Sequence, residues 1–146
     1  MHKQQLYADT DGLISAGILA VPRTETAPKF FFSQLTHGYD LRMEANATAS
    51  DLETQTGIAL QNIDAALKQA EGGLHNIVRL SVFIKDAVDI DSYAVVTTVT
   101  EAIQKFFSFA RPGNMILPAQ SIVFVNRLPY DHLGQLIGIE ATAVID

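Results

Sequence analysis

The chain has 146 residues, 48% of them hydrophobic and 18% charged, with a net charge of -6 and no cysteine. That length fits one domain, residues 1–146, able to bury roughly two thirds of its extended-chain surface. The missing cysteines exclude disulfides, thiol nucleophiles and thiolate metal sites. The scattered ten Lys and Arg offer no basic stripe for a phosphate backbone, so nucleic acid is not an expected partner.

The start "MHKQQLYADTDG" lacks a signal-peptide pattern, and the apolar run "LISAGILAVP" is too short to span a bilayer. The expectation is a cytoplasmic protein without a membrane partner. "ISAGILAV" (14–21) and "KFFFSQLT" (29–36) read as strands, the second ending in the turn-like "HGYD", with the proline-bounded "PRTETAP" as a loop between them. In "ASDLETQTGIALQNIDAALKQAEGG", Ser50 and Glu53 have the form of a capping box. Leu52, Ala59, Leu60, Ile63, Ala66, Leu67 and Ala70 then form one helical stripe, and Gly72 and Gly73 supply a left-handed stop.

"NIVRLSVFIKD" alternates, with Val78, Leu80, Val82 and Ile84 on one face and Arg79, Ser81, Phe83 and Lys85 on the other. "DIDSYAVVTTVTEAIQKFF" is rich in β-branched residues, yet it is too long for a typical strand. Its Tyr93, Val96, Val99, Ile103, Phe106 and Phe107 fit a helical stripe, which Asp89 or Asp91 can cap, with Asp86 as a further capping candidate. Two strands, "QSIVFVNR" and "QLIGIEATAVI", close the chain around "LPYDHLG".

The order is therefore β-β-α-β-α-β-β, an α+β unit with both helices on one face of a mixed sheet. Phe83, Val123, Val125, Leu136 and Val144 can point to the opposite face, and no segment remains to cover them. Oligomerisation through the sheet follows.

Generic motifs of catalysis are absent: there is no P-loop, no G-x-G-x-x-G, no H-E-x-x-H and no G-x-S-x-G. His2, His37, His75 and His132 fall in loops or termini without metal-like spacing, so no metal ligands are expected. What remains are polar groups set in apolar strands: Ser33, Arg79, Gln120, Ser121, Arg127 and Glu140. The bland reading of Glu140 is a carboxylate paired across strands with Arg79 or Arg127, because burying an unpaired charge is costly.

Several of these stretches together resemble the YjgF/Rid (reactive intermediate deaminase) family, long labelled L-PSP endoribonucleases. "FFFSQL" is similar to its hydrophobic-Ser-Gly-Gln strand. "ETQTGIALQNIDAALKQAEGGLHNIVRLSVFIKDAVDIDSY" follows its Q-T-x-x-A-L-x-N-I…V-x-V-F-x-x-D pattern. "LPAQSIVFVNRLP" is similar to P-A-R-S-x-V-x-V-x-x-L-P, and "GIEATAVI" to E-I-E-A-I-A. The resemblance covers about residues 29–145. It implies a chorismate-mutase-like subunit, a homotrimer whose sheets line a central barrel, and three small-molecule clefts between subunits. Active members of such a family hydrolyse enamines and imines, such as 2-aminoacrylate, to keto acids and ammonia, without a metal or organic cofactor.

The departures from the pattern are specific. Gln120 stands where the resemblance expects the arginine that grips a substrate carboxylate, and an amide offers neither charge nor a planar fork. Gly138 stands where the first glutamate of E-I-E is expected, leaving Glu140 as the second and room for a bulkier ligand. Ala94 stands where an asparagine is expected, and the Gly-Pro-Tyr-Ser segment has no counterpart. Arg79, Arg111 or Arg127 could supply a displaced cation. The candidate cleft is thus Gln120, Ser33, Ser121, Arg79, Gly138, Glu140 and Arg127. Three readings stay open: a divergent imine or enamine hydrolase with another substrate, a non-catalytic trimeric binding or regulatory protein, and an endoribonuclease. The net charge and the lack of a catalytic histidine pair weigh against the third.

Overall fold

A computed structural model describes residues 2–7, 15–20, 28–40, 45–46, 51–86, 91–110 and 116–146. Eight strands and two long helices follow in the order β1 (His2–Tyr7), β2 (Ser15–Ala20), β3 (Lys29–Ser33), β4 (Tyr39–Asp40), β5 (Ala45–Asn46), α1 (Leu52–Gln69), β6 (Ile77–Lys85), α2 (Ser92–Ala110), β7 (Ala119–Val125) and β8 (Ile137–Ile145). Six strands form one mixed sheet in the order β1-β2-β3-β8-β6-β7, and β4 and β5 form a small separate ladder. Among the described strands only β6 and β7 run parallel, as the helical crossover α2 between them requires. The α+β class with two helices on one sheet face is as the sequence implies. The fold adds β1, where "HKQQLY" carries no apolar alternation, and turns "HGYD" into the start of the β4–β5 hairpin.

The core lies between the helices and one face of the central strands. Leu80, Val82 and Ile84 of β6, Ile137, Ile139, Ala141, Ala143 and Ile145 of β8, and Phe31 of β3 meet Leu60, Ile63 and Leu67 of α1 and Val99, Ile103 and Phe107 of α2. Each such Val, Leu, Ile or Phe side chain contributes roughly 1.5–3 kcal/mol on full burial. The alternation read for β6 holds except at its start. Ile77 pairs with Ala143 but Arg79 with Thr142, so Val78 is an extra residue pushed out of register and half exposed. Ile77, not Val78, is the buried residue there.

Asp51 caps α1, its carboxylate accepting from the Glu53 amide at 3.0 Å and from the Thr54 hydroxyl. The cap is thus a simple N-cap at Asp51 rather than a reciprocal box, and Ser50, from which the box was expected, lies outside the described residues. Asp91 caps α2 through the Tyr93 amide at 3.0 Å, whereas Asp89 lies outside the described residues. At the C-terminus of α1 the Gly72 amide donates to Leu67 O at 2.8 Å and the Glu71 amide to Lys68 O at 3.1 Å, a Schellman closure. Its left-handed residue is Glu71, φ 61°, not Gly72 or Gly73. Gly72 has another reason: a Cβ there would lie 2.8 Å from Ile145 Cδ1.

Two predictions follow from these ends. A side chain at a left-handed position costs about 1–2 kcal/mol, and the Glu71–Lys29 ion pair at 3.6 Å is exposed and offsets little. Glu71→Gly should therefore raise unfolding free energy in urea by about 1 kcal/mol. For Asp51, the Thr54 hydroxyl bond holds the carboxyl below its ordinary value of 3.8. A depressed carboxyl pKa stabilises the fold above the unfolded value, and that contribution disappears as pH falls through the folded value. The loss in melting temperature caused by Asp51→Ala should be constant from neutral pH down to about 4 and vanish in more acidic buffer.

Candidate functional site

Two buried glutamines deliver β8 to the sheet. Gln55 in the first turns of α1 donates through Nε2 to Gly134 O at 2.9 Å and accepts through Oε1 from the Leu136 amide at 2.8 Å. Gln135 accepts from the Tyr130 amide at 2.8 Å and donates to Ile137 O at 3.1 Å. The loop carrying these groups turns at Gly134, φ 86°. His37 lies in a loop as expected, but buried, with its ring 4.7 Å from that of Tyr130 and its carbonyl accepting from Asn62 at 3.3 Å. His2 lies in β1 rather than in a loose terminus.

With β8 fixed, its far face carries Gly138, Glu140, Thr142 and Val144 in alternation with the buried set. Ser81 stands opposite Glu140 on one side and Ser121 on the other, in adjacent strands and on the same face. On this face the Arg79 guanidinium donates to the Ser121 hydroxyl at 2.7 Å. Arg79 and Ser121 are therefore joined directly, and Glu140 shares their face from the far side of β6. The cross-strand pair expected for Glu140 does not form: among the described residues no ion pair includes it. The carboxylate is exposed, so no burial cost demands a partner.

Ser33 has a different task. Phe32 pairs with Thr142 and Thr36 bridges Ile139, so four steps along the β3 side match three along β8. The ladder is out of step between them, and the Ser33 hydroxyl takes the Ala141 amide at 2.7 Å. The irregularity throws Leu35 across β8. A Cβ on Gly138 would come within 2.7 Å of both Leu35 Cγ and Cδ1. The room expected at Gly138 is thus filled by the chain's own leucine, a correction that no local pattern could supply.

Gln120 faces the other way. It pairs with Leu80 and alternates with Ile122 and Phe124, which pack against the core, so its half-buried side chain lies on the helix side at the start of β7. Beside it opens a hollow of about 330 Å³ lined by His75, Ile77, Val78, Ile116, Leu117, Pro118 and Ala119. Sequence reasoning did not bring His75 and Ile116 together, because the bulge at Val78 beside them has no local signature. Arg127 is exposed beyond the opposite end of β7, and Arg111 lies outside the described residues. Gly138 is three pairs along β6 from the Gln120 level, about 10 Å. Within one chain the seven residues do not converge. No group of three metal-ligating side chains gathers among the described residues.

The sequence profile of the family described as Endoribonuclease L-PSP matches residues 36–145. The chain belongs to this family. A protein of Salmonella typhimurium named 2-iminobutanoate/2-iminopropanoate deaminase is 35% identical over 101 residues, 69% of this chain and 70% of that one. Three relatives named as RutC family proteins are matched over 55, 64 and 61% of their length. The crystal structure of E. coli TdcF with bound serine superposes with a TM-score of 0.66 at 25% identity, covering 80% of this chain and 81% of that chain. A Rid protein of unknown function from Yersinia pestis, YyfA, gives 0.67 at 22% identity over 97% of this chain and 100% of that one, a likeness of fold alone.

The Ser33 hydroxyl replaces a ladder acceptor, and removing it leaves the Ala141 amide unsatisfied. Ser33→Ala should cost about 1–3 kcal/mol in urea unfolding. Ser33→Thr, which keeps the oxygen, should cost less than half of that.

Proposed function

We propose that this chain is a divergent imine or enamine hydrolase that acts at a cleft between subunits of a homotrimer in the cytoplasm. The observation that carries the reaction class is the 35% identity to a deaminase of 2-imino acids over more than two thirds of both chains. Assembly is supported by the open sheet face, where Phe32 and Val123 are 47% and 48% exposed, and by the position of β7 at the sheet edge. A sheet edge and a half-exposed apolar face leave backbone donors and apolar area unsatisfied in one chain.

The substrate differs from a small 2-imino acid in this reading. Gln120 presents an uncharged amide where the family resemblance calls for a guanidinium. The loss of a bond to a charged group, about 1.5–3 kcal/mol, weakens binding of a small anion roughly ten- to a hundredfold. The Leu35 side chain over Gly138 makes that part of the sheet apolar and leaves no acid there to orient water. The site candidates remain Gln120, Ser33, Ser121, Arg79, Gly138, Glu140 and Arg127, with Ser33 acting through the backbone it holds. A non-catalytic binding role is the second reading, favoured by the same loss of an acid at Gly138.

Two measurements test this. Sedimentation should give three times the 15.9 kDa chain mass; a monomer at micromolar concentration removes the cleft. With freshly generated 2-aminoacrylate, pyruvate release should be at least about tenfold slower than for an arginine-bearing relative, and Gln120→Arg should recover part of the difference. Equal rates in the unmodified protein would overturn the reading of Gln120. Ligand-induced thermal stabilisation without turnover of any imine would favour the binding role.

A further inference from the structure

The bulge in β6 decides where one cation goes. Ile77 and Leu80 both lie in the core, yet an unbroken alternation from Ile77 would send Leu80 out and Arg79 in. The extra residue at Val78 returns Leu80 to the core and turns Arg79 to the open face. Bulges re-aim a side chain in this way at the expense of local pairing. The guanidinium that results is exposed and adds nothing to the core.

The direction of that guanidinium is the second observation. Arg79 pairs with Ala119 on one side and Thr142 on the other. One row along the face, a hydroxyl and a carboxylate stand diagonally to it, Ser121 on β7 and Glu140 on β8. The guanidinium donates to the Ser121 hydroxyl at 2.7 Å, and among the described residues no ion pair includes it. It thus leans away from an acid of its own chain and toward β7, the margin of the sheet.

Other cations are placed differently. Lys29, Lys68, Lys85 and Lys105 each have a carboxylate within 3.7 Å, and Arg127 lies beyond the far end of β7. Arg79 stands beside Gln120, which pairs with the next residue of β6, Leu80, and is followed by Ser121. A guanidinium offers more N–H groups than one hydroxyl accepts, and its planar fork matches the two oxygens of a carboxylate. In a chain of net charge -6, a cation without an acid at the sheet margin is suited to an anion from outside.

We propose that Arg79 is a specificity-determining residue of the cleft at β7, where it binds the carboxylate of the ligand while the Ser121 hydroxyl positions it. The proposal rests on the reading of that margin as the cleft. It makes the ligand an imino or keto acid and not a neutral imine, held at Arg79 because the Gln120 amide carries no charge.

The test compares 2-oxobutanoate with its uncharged amide, 2-oxobutanamide, through dissociation constants from NMR shift titrations of the full chain. The unmodified protein should bind the acid at least about fivefold more tightly than the amide. Arg79→Gln should abolish that preference, and Arg79→Lys should keep part of it, since lysine retains the charge without the fork. Ser121→Ala should reduce the preference about threefold and Ser121→Thr should restore it, a rescue that a purely structural role would not produce. Lys68→Gln makes the same change in net charge on α1 and should leave the preference unaltered. Without ligand, every variant should melt within about 2 °C of the unmodified protein. An acid bound no better than the amide, or a preference that survives Arg79→Gln, overturns the proposal. A preference that depends on Arg79 in a chain sedimenting as a monomer upholds the anchor and removes the intersubunit cleft.

Discussion

One buried amide sets where β8 enters the sheet. Gln55 lies on α1, yet both of its hydrogen bonds go to the backbone on either side of Gln135, which feeds β8. Without it, Gly134 O and the Leu136 amide are polar groups facing a buried side chain, each costing about 1–3 kcal/mol. Because β8 sits between β3 and β6, fixing where it starts fixes two registers at once. A slip of one residue would carry Ile137, Ile139 and Ala141 out of the core and bring Gly138 and Glu140 in. The placement of the candidate groups on the far face follows from an interaction that none of them makes.

That dependence explains which parts of the molecule were readable in advance. Helices α1 and α2 and strands β6, β7 and β8 announce themselves through apolar spacing, because their burial is decided by their own period. Strand β1 does not, since "HKQQLY" borrows its structure from pairing with β2. The same limit applies to Val78, Glu71 and Leu35. A bulge, a left-handed helix end and a side chain crossing to a distant strand are set by partners far along the chain or by closure geometry. Gly138 shows the cost of reading one position alone. An absent side chain suggests space, but the irregular pairing after Ser33 had already assigned that space to Leu35.

The family's motif residues also divide by role. Gln55, Thr56 and Asn62, within the stretch that most resembles the family pattern, are all buried and bonded to backbone. They serve the loop and the helix, so retention of this motif speaks for the fold. The positions that differ from the pattern, Gln120 and Gly138, lie where backbone needs are already met by the sheet ladder. Side chains can change at such points without disturbing registers.

Two faces of one sheet then have to be reconciled. Arg79, Ser121 and Glu140 lie on the open face, while Gln120 lies on the helix side at the start of an edge strand. A flat sheet cannot make these groups meet, and a single chain does not. An edge strand, however, is where both faces become accessible to a neighbour. A partner lying along β7 would touch Gln120 from one side and the Arg79–Ser121 pair from the other. The separation of the candidates within one chain agrees with the proposed site between chains. Among the described residues β7 forms the margin of the sheet, where such a neighbour would add.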